Sequence, residues 1–502
     1  MKNIAPFLIA LILFNSTKST AQGTPQQLKD FDAYVEKAVA DWQTPGLAIV
    51  VCKGNEVLFS KGYGVRELGK SDKVDTKTMF ACASTTKAMT AAAMAMLVDE
   101  GKVRWQDKVV QHLADFKVAD AYLTNELTVR DLFTHNGGMG NADFLWGYSD
   151  FNSDDILKRF ALIKPAYSLR SSFIYQNVMY LVAGKVIEKL SGMTWADFLK
   201  KRIFDPLSMK RTFPTLAASK GENNRSRPHE RVKGVITPIE DTSADDIAPA
   251  GSVWSCVEDM SKWMRFMLDS ARVNGKMLLS PVNYAELFKV HSIVTPAQFY
   301  PTAILTKPNW MTYGLGWFQH DYKGRMVQFH TGSLQGTVAI HSLIPSEKIG
   351  VYVFGNLDHT EVRHALMYRA FDMLMNEKER DWSSDMKPIY DGIRAQVEAV
   401  RKQKESQRIL NTKPSLDLEK YTGTYYDPIS GKIEVKLDKG QLVAKLSSKL
   451  SMTLEHWHYD TFKVTYDKAW FQPDYVSFVL DENGKVAKLQ SGGQSWDKKM
   501  MH

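Results

Sequence analysis

A serine hydroxyl and a lysine amine three residues apart, in Ser84-Thr-Thr-Lys87, offer a nucleophile with a base beside it. On a helix, i,i+3 spacing puts both side chains on one face. A serine hydroxyl attacks carbonyl carbon poorly unless a neighbour takes its proton. A lysine can do so when burial lowers its pKa far enough to leave it partly neutral. Residues 88–98 are apolar on nearly every face, which predicts a buried, central helix with Ser84 at its mouth. The helix N-terminus would turn backbone N–H groups toward a developing oxyanion. The chemistry indicated is acyl transfer through a covalent intermediate. The same S-x-x-K pattern also occurs at Ser384–Lys387 and Ser495–Lys498, where the polar surroundings would bury no lysine. Context selects Ser84, against the competing reading of an N-cap serine with an incidental lysine.

Two further motifs follow in order. Tyr175-Gln-Asn177 is the only Y-x-N of the chain, and His330-Thr331-Gly332, followed by Ser333, comes after a predicted strand. Singly, Tyr175 reads equally as a core tyrosine and His330 as a satisfied strand histidine. Together with Ser84 and Lys87 the three motifs resemble the serine β-lactamase and penicillin-binding-protein superfamily, and residues 25–375 resemble its class C β-lactamase-related hydrolases. The stretches Leu132-Phe-Thr-His-Asn-Gly-Gly138, Pro249-Ala-Gly-Ser-Val-Trp-Ser255 and Tyr313-Gly-Leu-Gly-Trp317 are similar to that family as well. The resemblance implies Ser84 as the acylated nucleophile, Lys87 as its base and Tyr175 as a partner in proton transfer. It implies Asn177 as a group positioning substrate and Lys87, and the backbone N–H groups of Ser84 and Ser333 as oxyanion donors. His330, Thr331 and Gly332 would line an edge strand against which substrate docks.

His330 is the departure that matters. β-Lactamases usually carry lysine there, a fixed charge for the substrate carboxylate, whereas histidine is mostly neutral near pH 7. The H-x-G variant resembles D-aminopeptidases and some esterase-like members. No deacylating glutamate can be matched, so water activation would lean on Tyr175, Lys87 and His330.

These groups need a scaffold. Residues 28–42 carry apolar positions at helical spacing up to Pro45-Gly46, and residues 47–52 and 57–61 read as a hairpin around Gly54-Asn55. Strands return at 326–329, 338–344 and 349–354, before a helix over about 361–375. Between these ends, roughly residues 84–290 are largely helical. The predicted class is α+β: an antiparallel sheet flanked by helices, with an inserted helical subdomain. Residues 376–414 read as a helical connector. Short, turn-separated β runs beyond Tyr421 predict a small antiparallel barrel over 415–502, resembling the lipocalin-like domain appended to such hydrolases. Trp457, His458, Trp470 and Phe471 are assigned to its core and rim.

Composition agrees with several folded units: 502 residues, 44% hydrophobic and 24% charged, exclude dominant disorder. Residues 1–21, with Lys2, an apolar run over 4–14 and Ser19-Thr20-Ala21, read as a secretory signal peptide, making residues 22–375 the start of an exported, periplasmic or secreted chain. No later stretch is long and apolar enough to span a bilayer. The formal charge is +8, and losing Lys2 and Lys18 with the leader leaves +6. Part of the excess lies between Arg401 and Arg408, read as a solvated helix face and not a nucleic-acid site. Three cysteines cannot form a disulfide framework, and the scattered histidines support no metal site. No cofactor is expected.

The expected activity is a serine hydrolase cleaving amides or peptides, D-amino-acid-containing ones above all. The rivals are a β-lactamase or carboxylesterase of the same fold, and a non-catalytic binding scaffold. A small peptide, amide or ester is the expected partner, and an oligomer is left open.

Overall fold

The computed structural model describes residues 24–499, so the leader reading of residues 1–21 lies outside the described residues. The first helix, Pro25–Asp41, starts with proline in its first turn and a capping box in which Thr24 and Gln27 exchange side-chain and backbone hydrogen bonds. It buries Phe31, Val35, Ala38 and Val39.

An eight-stranded antiparallel sheet forms the centre. Its spatial order is Glu56–Gly64, Gly46–Lys53, Ile349–Gly355, Thr337–Ile344, Arg325–Leu334, Phe318–Tyr322, Met311–Tyr313 and Ser292–Ile293. Both ends of the segment therefore meet in one sheet, with Leu47 opposite Gly355 and Lys53 opposite Ile349. The period-2 alternation of the strands divides the core in two. Ile49, Val51, Val351 and Val353 face the layer formed by Pro25–Asp41 and the helix Val362–Leu374. Ala48, Val50, Tyr352 and Phe354 face the layer holding Thr86–Asp99 and Val257–Leu268.

Thr86–Asp99 is buried at every residue from Thr86 to Leu97, as its apolar sequence predicts. The inserted region is mainly helical but also holds a hairpin, His229–Val232 with Val235–Pro238. A short ladder pairs Phe80–Ala81 with Trp254–Ser255 and so ties the approach to Ser84 to a distant segment. The sheet exceeds the expectation by three short strands between residues 292 and 322. These runs of two to five residues are too short to show a period in sequence.

The helix Trp382–Ser406 follows. Its first turn is core: Trp382, Ser383 and Met386 are buried, and the Trp382 indole donates to Asp372 at 2.8 Å. Its far end rests on the C-terminal domain, where eight antiparallel strands from Gly423–Asp427 to Gln494–Lys498 close into a barrel filled by Tyr421, Tyr425, Phe462, Phe478 and Trp496. The basic cluster is only partly a solvated face. Arg408 donates to the carbonyls of His456 and Trp457, and Lys404 lies over the Tyr475 ring.

The barrel docks on residues 148–159 of the inserted region. Ser447 donates to the Tyr148 carbonyl at 2.5 Å, and the Ser448 amide donates to Asp150 at 2.7 Å. Arg159 donates to the carbonyls of Pro428 and Ile429. Phe471 packs edge-on against Tyr148 at 4.8 Å, which places it at the seam. Cys52, Cys82 and Cys256 are all free and buried. Among the described residues no helix is long and apolar enough to cross a membrane.

One close approach joins fold to site. A Cβ on Gly184, within the helix Val178–Ser191, would lie 2.2 Å from Pro249 Cγ, so only glycine lets this helix meet the Pro249-Ala250 segment. Gly184→Ala is expected to destabilise by about 1–3 kcal/mol through overpacking. Gly392→Ala, in an exposed helix position with open space, is expected to stabilise by roughly 0.5–1 kcal/mol. Thermal midpoints of the two variants, moving in opposite directions, check the pair.

Candidate active site

Ser84 sits in a single 3-10 turn, Ala83–Thr85, that runs into the buried helix. Ala83 takes a left-handed backbone at φ 47°, an arrangement that costs an L residue roughly 1–2 kcal/mol. The Cys82 amide bonded to the Val253 carbonyl, and the Thr85 hydroxyl bonded to the Cys82 carbonyl, hold the turn. Lys87 lies one turn on and is wholly buried. Its Nζ is 3.0 Å from Ser84 Oγ, 2.7 Å from Asn177 Oδ1 and 2.8 Å from the Ala250 carbonyl. Burial pushes its pKa down to about 7, against the opposing pull of Asp143.

That environment fits an uncharged amine. The Asn177 Oδ1 and Ala250 carbonyl oxygens can only accept, so they take two N–H groups, and the lone pair then faces the Ser84 hydroxyl. Asn177 cannot flip, because its amide nitrogen donates to Asp143 Oδ1 at 2.8 Å.

Tyr175 closes the constellation. Its ring lies 4.8 Å from Lys87 Nζ, and its hydroxyl is buried, with burial holding the phenol well above its usual pKa. Ser84 eases that ionisation, yet the Tyr175 hydroxyl completes no hydrogen bond of normal geometry.

His330 is buried and bonded at both nitrogens. Its Nδ1 donates to the Thr331 carbonyl at 2.6 Å, which leaves Nε2 to accept from Tyr313 at 3.0 Å. The Tyr313 oxygen in turn faces His135 Nε2 at 3.2 Å, and His135 Nδ1 accepts from the Gln176 amide. Two backbone groups thus fix the direction of a chain running His135 to Tyr313 to His330. Burial, with Lys87 nearby, holds both histidines well below the usual imidazole pKa. With its lone pair turned to the Tyr313 hydroxyl, His330 offers no free nitrogen to a water in the cleft, so this geometry does not support the water-activating role given to it from sequence.

The strand carrying His330 is interior to the sheet, not an edge. Its pairing with Phe318–Tyr322 ends at Phe329, however, so His330 to Leu334 are open on that side and form a local edge. Gly332 brings this segment onto the serine turn: a Cβ there would stand 2.2 Å from the Cys82 carbonyl and 3.1 Å from Ser84 N. Behind it, buried Arg363 donates to the Gly332 and Ala339 carbonyls and to Ser333 Oγ while paired with Glu361. Thr331 shares a hydrogen bond with Tyr300 at 2.6 Å.

Ser84, Tyr175, Asn177, His330, Thr331 and Ser333 line one cleft of about 420 Å³, with Lys87 directly beneath it. Trp146, Phe173, Phe299, Tyr300, Phe318 and Leu334 supply apolar walls. Sequence reasoning missed Asp143 and Arg363, for which no motif exists. It noted the stretches containing His135 and Tyr313 without seeing that they meet.

The model of the family described as Beta-lactamase matches residues 31–372. The chain belongs to the Beta-lactamase family. It is a serine hydrolase of the β-lactamase and penicillin-binding-protein superfamily, with that superfamily's antiparallel sheet flanked by helices. A second model, a domain of unknown function (DUF3471), matches residues 407–500. The Unguisins hydrolase of Aspergillus violaceofuscus is 28% identical over 480 residues, covering 87% of this chain and 82% of its own. The octameric penicillin-binding protein homologue from Pyrococcus abyssi shares the fold with TM-score 0.60 at 20% identity, over 94% of this chain and 99% of its own. A D-stereospecific amidohydrolase from Streptomyces aligns with TM-score 0.57 at 20% identity, over 68% of this chain and 98% of its own.

Tyr313→Phe would strand a donor on His135 and an acceptor on His330, each costing about 1–3 kcal/mol when buried unpaired. A lower thermal midpoint is expected, while Ser84 keeps its reactivity toward a fluorophosphonate probe because Lys87 contacts remain.

Proposed function

We infer that the protein is an exported hydrolase that forms an acyl-enzyme at Ser84 and cleaves amide bonds, with D-amino-acid-containing peptides as preferred substrates. One observation carries the reading: a fully buried lysine amine 3.0 Å from Ser84 Oγ, with a pKa of about 7. Near neutral pH a large share of these amines is uncharged and ready to take the serine proton.

Ser84 Oγ forms the new C–O bond with the substrate carbonyl carbon as its proton passes to Lys87. The oxyanion meets the backbone N–H groups of Ser84 and Ser333. The C–N bond then breaks as Tyr175 protonates the leaving nitrogen, and Lys87 restores the tyrosine proton. Burial keeps Tyr175 in its phenol form, and its hydroxyl has no competing bond. Water retraces the path to release the acyl group, with Lys87 and Tyr175 as the groups that deprotonate it.

Neutral His330 leaves the cleft without the cation that would hold a substrate carboxylate, which favours amides over penicillin-like acids. The names of two relatives, an amidohydrolase acting D-stereospecifically and a hydrolase of unguisins, support the same direction. Export rests on the composition of residues 1–21, and the mass of the mature N-terminus tests it.

Ser84→Ala is expected to abolish both fluorophosphonate labelling and hydrolysis of D-alanine p-nitroanilide. Wild-type-like turnover by this variant would remove Ser84 as nucleophile. Efficient nitrocefin turnover with the D-amino amide untouched would reverse the substrate ranking. Because the neutral amine is the active form, kcat/KM for an N-acetylated amide, which has no amine of its own to titrate, should rise with pH through a limb near 7 and plateau above it. A limb near the ordinary lysine pKa would show that the amine is charged at rest.

A further inference from the structure

The cleft has a lopsided charge pattern. Among the described residues lining it, Asp143 is the one carboxylate, and none is lysine or arginine. His330 is neutral, and Lys87 lies beneath the floor with its N–H groups committed to Asn177 and Ala250.

Asp143 is rigidly presented. Oδ1 accepts from Asn177 Nδ2 at 2.8 Å and from Trp146 Nε1 at 2.9 Å. Oδ2 accepts from Asn141 Nδ2 at 3.0 Å. A carboxylate offers about four acceptor sites, so Oδ2 keeps capacity for one more donor. Asp143 is partly exposed, and the aromatic rings of Trp146, Phe173 and Tyr300 stand around the same space. Aromatic faces and a carboxylate together suit a protonated amine and repel an acid.

We propose that Asp143 is a substrate-binding residue that reads a protonated primary amine on the acyl part of the substrate, next to the scissile carbonyl. The inference rests on the reading of the cleft as an amide-cleaving site. Asp143 is hydrogen-bonded to Asn177 and acts on the Tyr175 hydroxyl only through space. The amine is assigned to the portion that stays on Ser84 through Asn177, the group given the positioning of the substrate, to which Asp143 is bonded. The substrate class is then a peptide or amide with a free amino terminus, cleaved after its first residue.

The test compares D-phenylalanine p-nitroanilide with its N-acetyl derivative, which differ only in the amine. Wild type should prefer the free amine at least tenfold in kcat/KM. Its pH profile should rise near 7 and fall again as the substrate amine loses its proton, whereas the acetylated compound should show no such fall. Asp143→Asn should bring the ratio of the two substrates close to one, whatever its absolute rates. A ratio unchanged in Asp143→Asn would overturn the inference and leave Asp143 as a positioning group for Asn177. Equal wild-type turnover of both substrates, with Ser84 still labelled by a fluorophosphonate, would overturn it while the hydrolase reading stands. Absence of labelling and of turnover would remove both.

Discussion

Keeping one amine dry is the condition on which the site depends. In water the Lys87 side chain would be a cation; inside the core, loss of hydration disfavours that form and brings the amine into balance near neutrality. The helix Thr86–Asp99 is buried around its whole circumference from Thr86 to Leu97, so Nζ meets the cleft only where Ser84 stands over it. Glycine at 184 and the small residues of Pro249-Ala-Gly251 let the second helix and its neighbouring segment close over the amine.

The same constraint explains the neutral groups around it. A charged lysine in place of His330 would add a second cation in the low-dielectric interior, and each of the two charges would resist the other. A histidine chain anchored on the Gln176 amide and the Thr331 carbonyl fills the space without charge. Its proton positions are set by backbone geometry, so it carries polarity without a titrating group near neutrality. The Arg363–Glu361 pair acts in another way, satisfying carbonyls of the serine-facing strand from behind while its own charges cancel.

Much of this was legible in sequence because the chemistry of acyl transfer demands residue types at fixed spacing. Ser84 and Lys87 share a helix turn, and the apolar run behind them declares their burial. The hairpin at 46–64 and the late strands announce themselves by period and by turn residues. Distant pairings carry no such signature. Asp143 reaches Asn177 across 34 residues, and His135 reaches Tyr313 across 178, so nothing local marks either contact. The sheet's outer strands were hidden because two or three residues cannot display alternation. Trp382 looked like part of a connector because its partner, the carboxylate of Asp372, belongs to the preceding helix. The edge character of His330 to Leu334 was foreseen for the wrong reason, since it arises where a neighbouring strand stops short.

The barrel grips Tyr148, Ser149 and Asp150, and the same stretch, just ahead of Tyr148, delivers Asp143 and Trp146 to the cleft. Attachment of the barrel therefore bears on the segment that forms one wall of the cleft. Ser447 and Phe471, which line no part of the cleft, thus touch the stretch of chain that carries its wall.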